Sequence, residues 1–212
     1  MTKTAIGFVL DESGSMASIL DDTIGGFNTF IEKQKSSEGT ATLTLVKFNS
    51  DVTVVHDMVD LEEVSALDTK TFSPAGLTAL NDGIATAITN IGTQLAAMEE
   101  DERPGSVIIA IMTDGGENSS DMSRDAVFEM IKHQKEVYNW QFIFLGANQD
   151  AISTGSSLGI SAGQSVTFSA SNMTGAMDSV SSKITSYRSA TSRGFDAAGT
   201  LNYSDSDRKE VL

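Results

Sequence analysis

Three short apolar runs, each ending at a polar loop, constrain this chain more than any other feature. Ala5 to Leu10 runs into Asp11, Val107 to Met112 runs into Thr113-Asp114, and Trp140 to Leu145 is the third. Runs of this length, apolar at nearly every position, fit strands buried on both faces, the condition of a parallel sheet. Between them the spacing changes to that of a helix. Met16, Ile19, Leu20, Ile24, Phe27, Phe30 and Ile31 share one face, with Gly25-Gly26 expected to interrupt it. Leu80, Ile84, Ala87, Ile88, Ile91, Leu95 and Met98 mark another helix. Ala126, Val127, Met130, Ile131 and Tyr138 mark the next, and Met173, Met177, Val180, Ile184 and Tyr187 the last.

The remaining elements are weaker. Residues 40–48 alternate, with Ala41, Leu43 and Leu45 opposite Thr40, Thr42 and Thr44, which predicts a half-buried strand. Asn49-Ser50-Asp51 is a turn signal, so Val52 to Val59 returns as an antiparallel partner. Gln164 to Phe168 is a sixth strand, after a short helix around 149–158. Strands alternating with helices imply an α/β fold, a doubly wound, mostly parallel six-stranded sheet with helices on both faces. Right-handed crossovers predict the strand order 3-2-1-4-5-6, with strand 3 antiparallel at one edge. Residues 1–193 form one domain on this reading, and 194–212 a C-terminal tail.

Composition excludes several functions. The 212 residues contain no Cys, which removes disulfides, Cys-ligated zinc and thiol catalysis, and only two His, His56 and His133. A formal net charge of −15 opposes binding to a nucleic-acid backbone or an anionic membrane surface. The excess acid is local: residues 1–150 hold 9 Lys/Arg and 24 Asp/Glu, whereas residues 151–212 hold 5 of each. Solubility alone can account for that, and so can a bound cation. The apolar stretch before Asp11 is too short for a signal peptide, and no later run could span a bilayer, so the expectation is a cytoplasmic protein.

Asp11-Glu12-Ser13-Gly14-Ser15 falls where the first strand meets the first helix, and Thr113-Asp114-Gly115 ends another strand at the same side. Ligands of open parallel sheets bind outside the carboxyl ends of the strands, where strand order reverses. Thr78, in Ala75-Gly76-Leu77-Thr78, opens a helix from that edge. Asp11, Ser13, Ser15, Thr78 and Asp114 together offer two carboxylates and three hydroxyls. That hard, all-oxygen set suits Mg²⁺ or Mn²⁺ better than zinc, with Ca²⁺ as a further candidate. The bland alternative is that Asp11, Ser13 and Ser15 cap the first helix. It leaves Thr78 and the convergence unexplained. Ser13 and Ser15 are not in a nucleophile elbow, and Asp11-x-Ser13 lacks the second carboxylate of an Asp-x-Asp phosphatase site.

At these residues the sequence resembles the von Willebrand factor type A domain. That family's metal-ion-dependent adhesion site has the pattern Asp-x-Ser-x-Ser, a later Thr and a later Thr-Asp-Gly. Asp11, Ser13, Ser15, Thr78 and Thr113-Asp114-Gly115 match it, so the site is complete in sequence. The resemblance spans roughly residues 3–190. It implies a Rossmann-like fold and a small stand-alone bacterial or phage type of domain. It further implies a Mg²⁺ or Mn²⁺ ion met by the serines and Thr78, one or both aspartates acting through water, and one position left for a partner's carboxylate. The expected function is therefore a non-enzymatic, metal-dependent protein-binding module, an intracellular adaptor or assembly factor whose protein partner donates an Asp or Glu. A metal-dependent hydrolase is the alternative. It needs a base beside the ion, and Glu12 and Glu117 are the local candidates.

Overall fold

The computed structural model describes residues 3–212. The sheet has six strands: β1 (Lys3–Asp11), β2 (Thr40–Phe48), β3 (Val52–Asp60), β4 (Ser106–Thr113), β5 (Gln141–Ala147) and β6 (Ser165–Phe168). Their order is β3-β2-β1-β4-β5-β6, as the crossovers predict. All pairs are parallel except β2 with β3. The helices are α1 (Leu20–Lys35), α2 (Leu80–Ala97), α3 (Arg124–Tyr138), α4 (Ala151–Ser157), α5 (Met173–Ser192) and α6 (Asp205–Glu210).

Alternation along the central strands divides the core in two. Ile6, Phe8 and Leu10 of β1 and Ile108, Ala110 and Met112 of β4 face α1 and α5. Ala5, Val9, Ile109 and Ile111 face α2 and α3. On the first side Phe8 meets Phe27 and Phe30 edge-on, at ring separations of 5.4 and 5.1 Å. Such pairs add about 0.5–1.5 kcal/mol each beyond area burial.

Three expectations change. The helix is not interrupted at Gly25-Gly26: α1 runs through both, and a Cβ on Gly26 would sit 2.7 Å from Met177 Cγ. The glycine buys close contact between α1 and α5, which outweighs its poor helix propensity. The Thr face of β2 is exposed only at Thr40. Thr42 and Thr44 are buried on the side where α2 packs, and the Thr44 hydroxyl accepts a hydrogen bond from Met58 N. Lastly, Leu80 is the first helical residue, so Thr78 lies in the loop before α2 rather than within it.

Residues 194–212, set apart in sequence as a tail, pack onto the domain. Leu201, Tyr203 and Val211 enter the core beside α5. The segment also covers the outer edge of β6. Arg208 donates to Ser165 O at 2.7 Å, and Ser169 N donates to Val211 O at 2.9 Å. An uncovered edge strand invites pairing with other chains, so the segment closes a liability. Its polar tie is Asp207, which accepts from Lys183 Nζ at 2.7 Å and from Ser204 N at 2.7 Å.

The Lys183 ammonium and the Ser204 amide hold the Asp207 carboxyl down at about 2. A depressed carboxylate stabilises the fold above its unfolded value near pH 4, and that contribution fades as pH falls through about 2. Asp207→Asn should therefore cost about 1–2 kcal/mol at pH 7 after allowance for solvent screening. In urea melts the gap from wild type should shrink steadily below pH 4. A gap constant from pH 7 to pH 3 would mean the carboxylate charge does not hold the segment.

Candidate metal centre

Asp11 is the last residue of β1 and Thr113 the last of β4, adjacent strands whose carboxyl ends lie side by side. Asp11 is fully buried and both its oxygens are engaged. Oδ1 accepts from Ser13 N at 2.7 Å, and Oδ2 accepts from the Thr113 hydroxyl at 2.6 Å. The first bond turns the loop after β1 so that Ser13 and Ser15 stand together, their hydroxyl oxygens 3.1 Å apart. Ser15 Oγ donates to Asp114 Oδ1 at 2.6 Å. An unbroken chain of hydrogen bonds thus links Asp11, Ser13, Ser15 and Asp114.

Thr78 joins from a third loop. Its backbone is clamped to the segment after β4: Thr78 N donates to Asn118 Oδ1 at 2.9 Å, and Asn118 N donates to Thr78 O at 3.1 Å. Its hydroxyl lies beside Gly115. A Cβ on Gly115 would stand 3.5 Å from Thr78 Oγ1 and 3.8 Å from Ser15 Oγ, so the glycine leaves the two hydroxyls facing a common space. Gly76 brings the loop in. Its φ of +73° suits glycine, a Cβ there would strike Ser50 Oγ at 2.6 Å, and its carbonyl accepts from Gly14 N at 3.2 Å.

The donor set fits a small hard cation. Adjacent ligands of an octahedral ion at about 2.1 Å lie about 3 Å apart. The Ser13–Ser15 and Ser15–Asp114 spacings of 3.1 and 2.6 Å bracket that edge. Asp11, with both oxygens committed, suits a role through water or through orientation of Ser13. Among the described residues no three His, Cys, Asp or Glu side chains cluster as a metal site would need without hydroxyl ligands.

Charge is held here at a cost. Burial pushes the Asp11 carboxyl above its usual range, against the hydrogen bonds from Thr113 and Ser13, and the nearby Asp114 charge adds to the rise. Burial likewise raises Asp114, against the Ser15 hydroxyl. Glu117 behaves differently. Burial opposes its charge, yet the amides of Asn81, Ser119 and Ser120 and the Ser120 hydroxyl together hold it below the ordinary value.

Several supporting residues escape the sequence reading. Glu12 forms a buried ion pair with Lys47 of β2 at 2.7 Å. The same Glu12 oxygen accepts from Ser73 N at 2.6 Å, while Lys47 donates to Thr71 O at 2.6 Å. This pair fastens the loop that leads to Thr78. A lysine inside the apolar run of β2 was the available signal. Thr113 was visible as part of a motif, but its hydroxyl's grip on Asp11 was not. Gln149 Nε2, from the loop after β5, donates to Gly115 O at 3.2 Å.

The sequence profile of the von Willebrand factor type A domain matches residues 5–183, and the chain belongs to that family. A search of curated proteins finds no match. Among solved structures, the chain is similar to proximal thread matrix protein 1 from the mussel byssus with a zinc-occupied metal-ion-dependent adhesion site. That match has 17% identity and a TM-score of 0.60, covering 85% of this chain and 45% of that one. It is similar to a von Willebrand factor type A protein from Catenulispora acidiphila, with 14% identity, a TM-score of 0.58, and coverage of 87% and 43%. It is also similar to the pilus adhesin SpaC from Lactobacillus rhamnosus GG in its open conformation, with 12% identity, a TM-score of 0.68, and coverage of 88% and 30%. The chain spans less than half the length of each. At such identities the likeness establishes the fold.

The raised carboxyls carry a test in metal-free protein. A folded-state pKa above the unfolded value gives stability that is complete below about pH 4 and is lost as pH rises through the folded value. In chelator, Asp11→Asn loses one of the two acceptors used by Ser13 and Thr113 and should melt lower than wild type at pH 4, but the deficit should narrow as pH rises to 7, because the amide carries no buried charge. A variant that melts lower than wild type by the same margin at both values would show that the Asp11 charge carries no penalty.

Proposed function

We propose that this domain is a metal-dependent protein-binding module. Ser13, Ser15 and Thr78 would meet a Mg²⁺ or Mn²⁺ ion through their hydroxyls, with Asp11 and Asp114 balancing its charge directly or through water. When bound, the ion supplies Lewis acidity toward an oxygen ligand. The chain's own residues fix where that ligand arrives. Two carboxylates offset a divalent charge and three hydroxyls add none, so a remaining position takes an anionic oxygen without overcharging the site. An Asp or Glu on a partner's loop fits.

The observation that carries this reading is the convergence of Asp11, Ser13, Ser15, Thr78 and Asp114 from three separate loops. The zinc-occupied site named for the mussel protein supports a metal in this family. The engagement of both candidate bases weighs against a hydrolase. Glu12 is consumed by Lys47 and Ser73 N, and Glu117 by Asn81, Ser119 and Ser120. Both Glu117 oxygens are thereby engaged, whereas Glu12 is committed through Oε1 and neutralised by the Lys47 ammonium. No helix among the described residues is long and apolar enough to cross a membrane. A role as a cytoplasmic adaptor or assembly factor of the small bacterial or phage type agrees with that, and belongs to the proposal.

Thr78→Ala tests the contact. Wild type and variant, immobilised and exposed to native lysate with Mg²⁺ or with chelator, should differ only when Mg²⁺ is present. Thr78 is buried in the loop before α2 but lies outside both apolar halves of the core, so unfolding should shift by about 1 kcal/mol or less. Retention of the same partner in all four conditions would place the interface elsewhere.

A further inference from the structure

A second feature lies at the opposite end of the sheet, between α2, α3 and the amino-terminal ends of β4 and β5. It is a cavity of about 620 Å³, within the range of small-molecule sites. Its buried lining includes Ile88, Val107 and Trp140; its exposed lining includes Arg103, His133 and Tyr138. Gly92 of α2 keeps it open above the indole, since a Cβ there would stand 3.9 Å from Trp140 Cη2 and anything longer would enter the space.

The charge of this cavity contradicts that of the protein. The sequence carries 29 Asp and Glu against 14 Lys and Arg, yet no carboxylate lines the cavity. The exposed acidic turn Glu100–Glu102 precedes Arg103 but contributes no side chain to the lining. Arg103 is pre-arranged. Its Nε and Nη2 both donate to Met98 O, at 3.2 and 3.1 Å, which fixes the guanidinium plane. Its Nη1 makes no hydrogen bond among the described residues. A fixed guanidinium with a spare donor beside an apolar, aromatic floor is a geometry for an anion carried on an apolar body.

We propose that this cavity binds a small organic anion, an aromatic or aliphatic body against Trp140 with a single carboxylate, sulfonate or phosphate at Arg103. The site is independent of the metal centre, which occupies the carboxyl ends of the strands.

Trp140 is the chain's only tryptophan and forms part of the cavity lining, so its emission responds to bound dye, and the Gly92→Leu variant separates this cavity from any other dye site. The probe is anilinonaphthalene sulfonate, titrated into the whole protein. Saturable energy transfer from Trp140 to the dye is expected. The uncharged analogue N-phenylnaphthylamine should bind about tenfold more weakly, the scale of one charge-assisted hydrogen bond. Arg103→Ala should erase that preference. Gly92→Leu should abolish transfer without loss of melting temperature, because leucine favours a helix over glycine. Asp11→Ala should leave dye binding unchanged. Absence of saturable transfer, or wild-type binding by Gly92→Leu, would overturn the site. Equal binding of the charged and neutral probes by wild type would overturn the anion and leave an apolar cavity selected by shape.

Discussion

The contact on which the rest depends is the hydrogen bond from the Thr113 hydroxyl to Asp11 Oδ2, 2.6 Å long, across the carboxyl ends of β1 and β4. It joins the two strands at which the order of the sheet reverses, the place where open α/β sheets form their crevice. A buried carboxylate with an unmade bond is costly, so Asp11 admits one loop arrangement. In that arrangement its other oxygen turns Ser13 and Ser15 toward Asp114. The core beneath serves the same end. Gly7 of β1 lets Ile109 and Ile91 pack where a Cβ would stand 2.9 and 3.0 Å from them, which seats β4 and α2 tightly against β1.

Two further ties bring Thr78 to that centre. The buried Glu12–Lys47 pair holds the chain at Thr71 and Ser73, and the Asn118 clamp holds Thr78 from the other side. Buried ion pairs contribute little net stability against an apolar replacement, and they lose much when one partner is removed. Glu12 and Lys47 are best understood as fixing where a loop goes. The same commitment ties Glu12 Oε1, next to Ser13, to the Thr71–Ser73 segment.

Much of this was legible in the sequence. β1, β4 and β5 are buried on both faces, so they read as continuous apolar runs, and right-handed crossovers leave few ways to order them. The fold follows from those two facts. Other features depend on partners that no local pattern reveals. Thr42 and Thr44 of β2 look like part of an exposed face because their buried state is set by α2, an element later in the chain. Gly25-Gly26 looks like a break because the residue that fills the gap, Met177, lies far downstream. Residues 194–212 looked like a tail because Leu201, Tyr203 and Val211 are too widely spaced to show a period, although each is buried. At the candidate site, the proposed ligands were visible as motif positions. The Thr113–Asp11 bond and the Lys47–Glu12 pair, which join residues distant in sequence, were not.

The central claim is that hydroxyls from separate loops share one divalent ion. The most direct measurement is anomalous scattering at the manganese edge from crystals grown in Mn²⁺. The account predicts one dominant peak bounded by the Ser13, Ser15 and Thr78 hydroxyls, with Asp114 facing it and Asp11 behind, at metal–oxygen distances near 2.1–2.2 Å, slightly longer than those of Mg²⁺. A peak elsewhere on the protein, or full Mn²⁺ occupancy without those hydroxyls among its ligands, would contradict it.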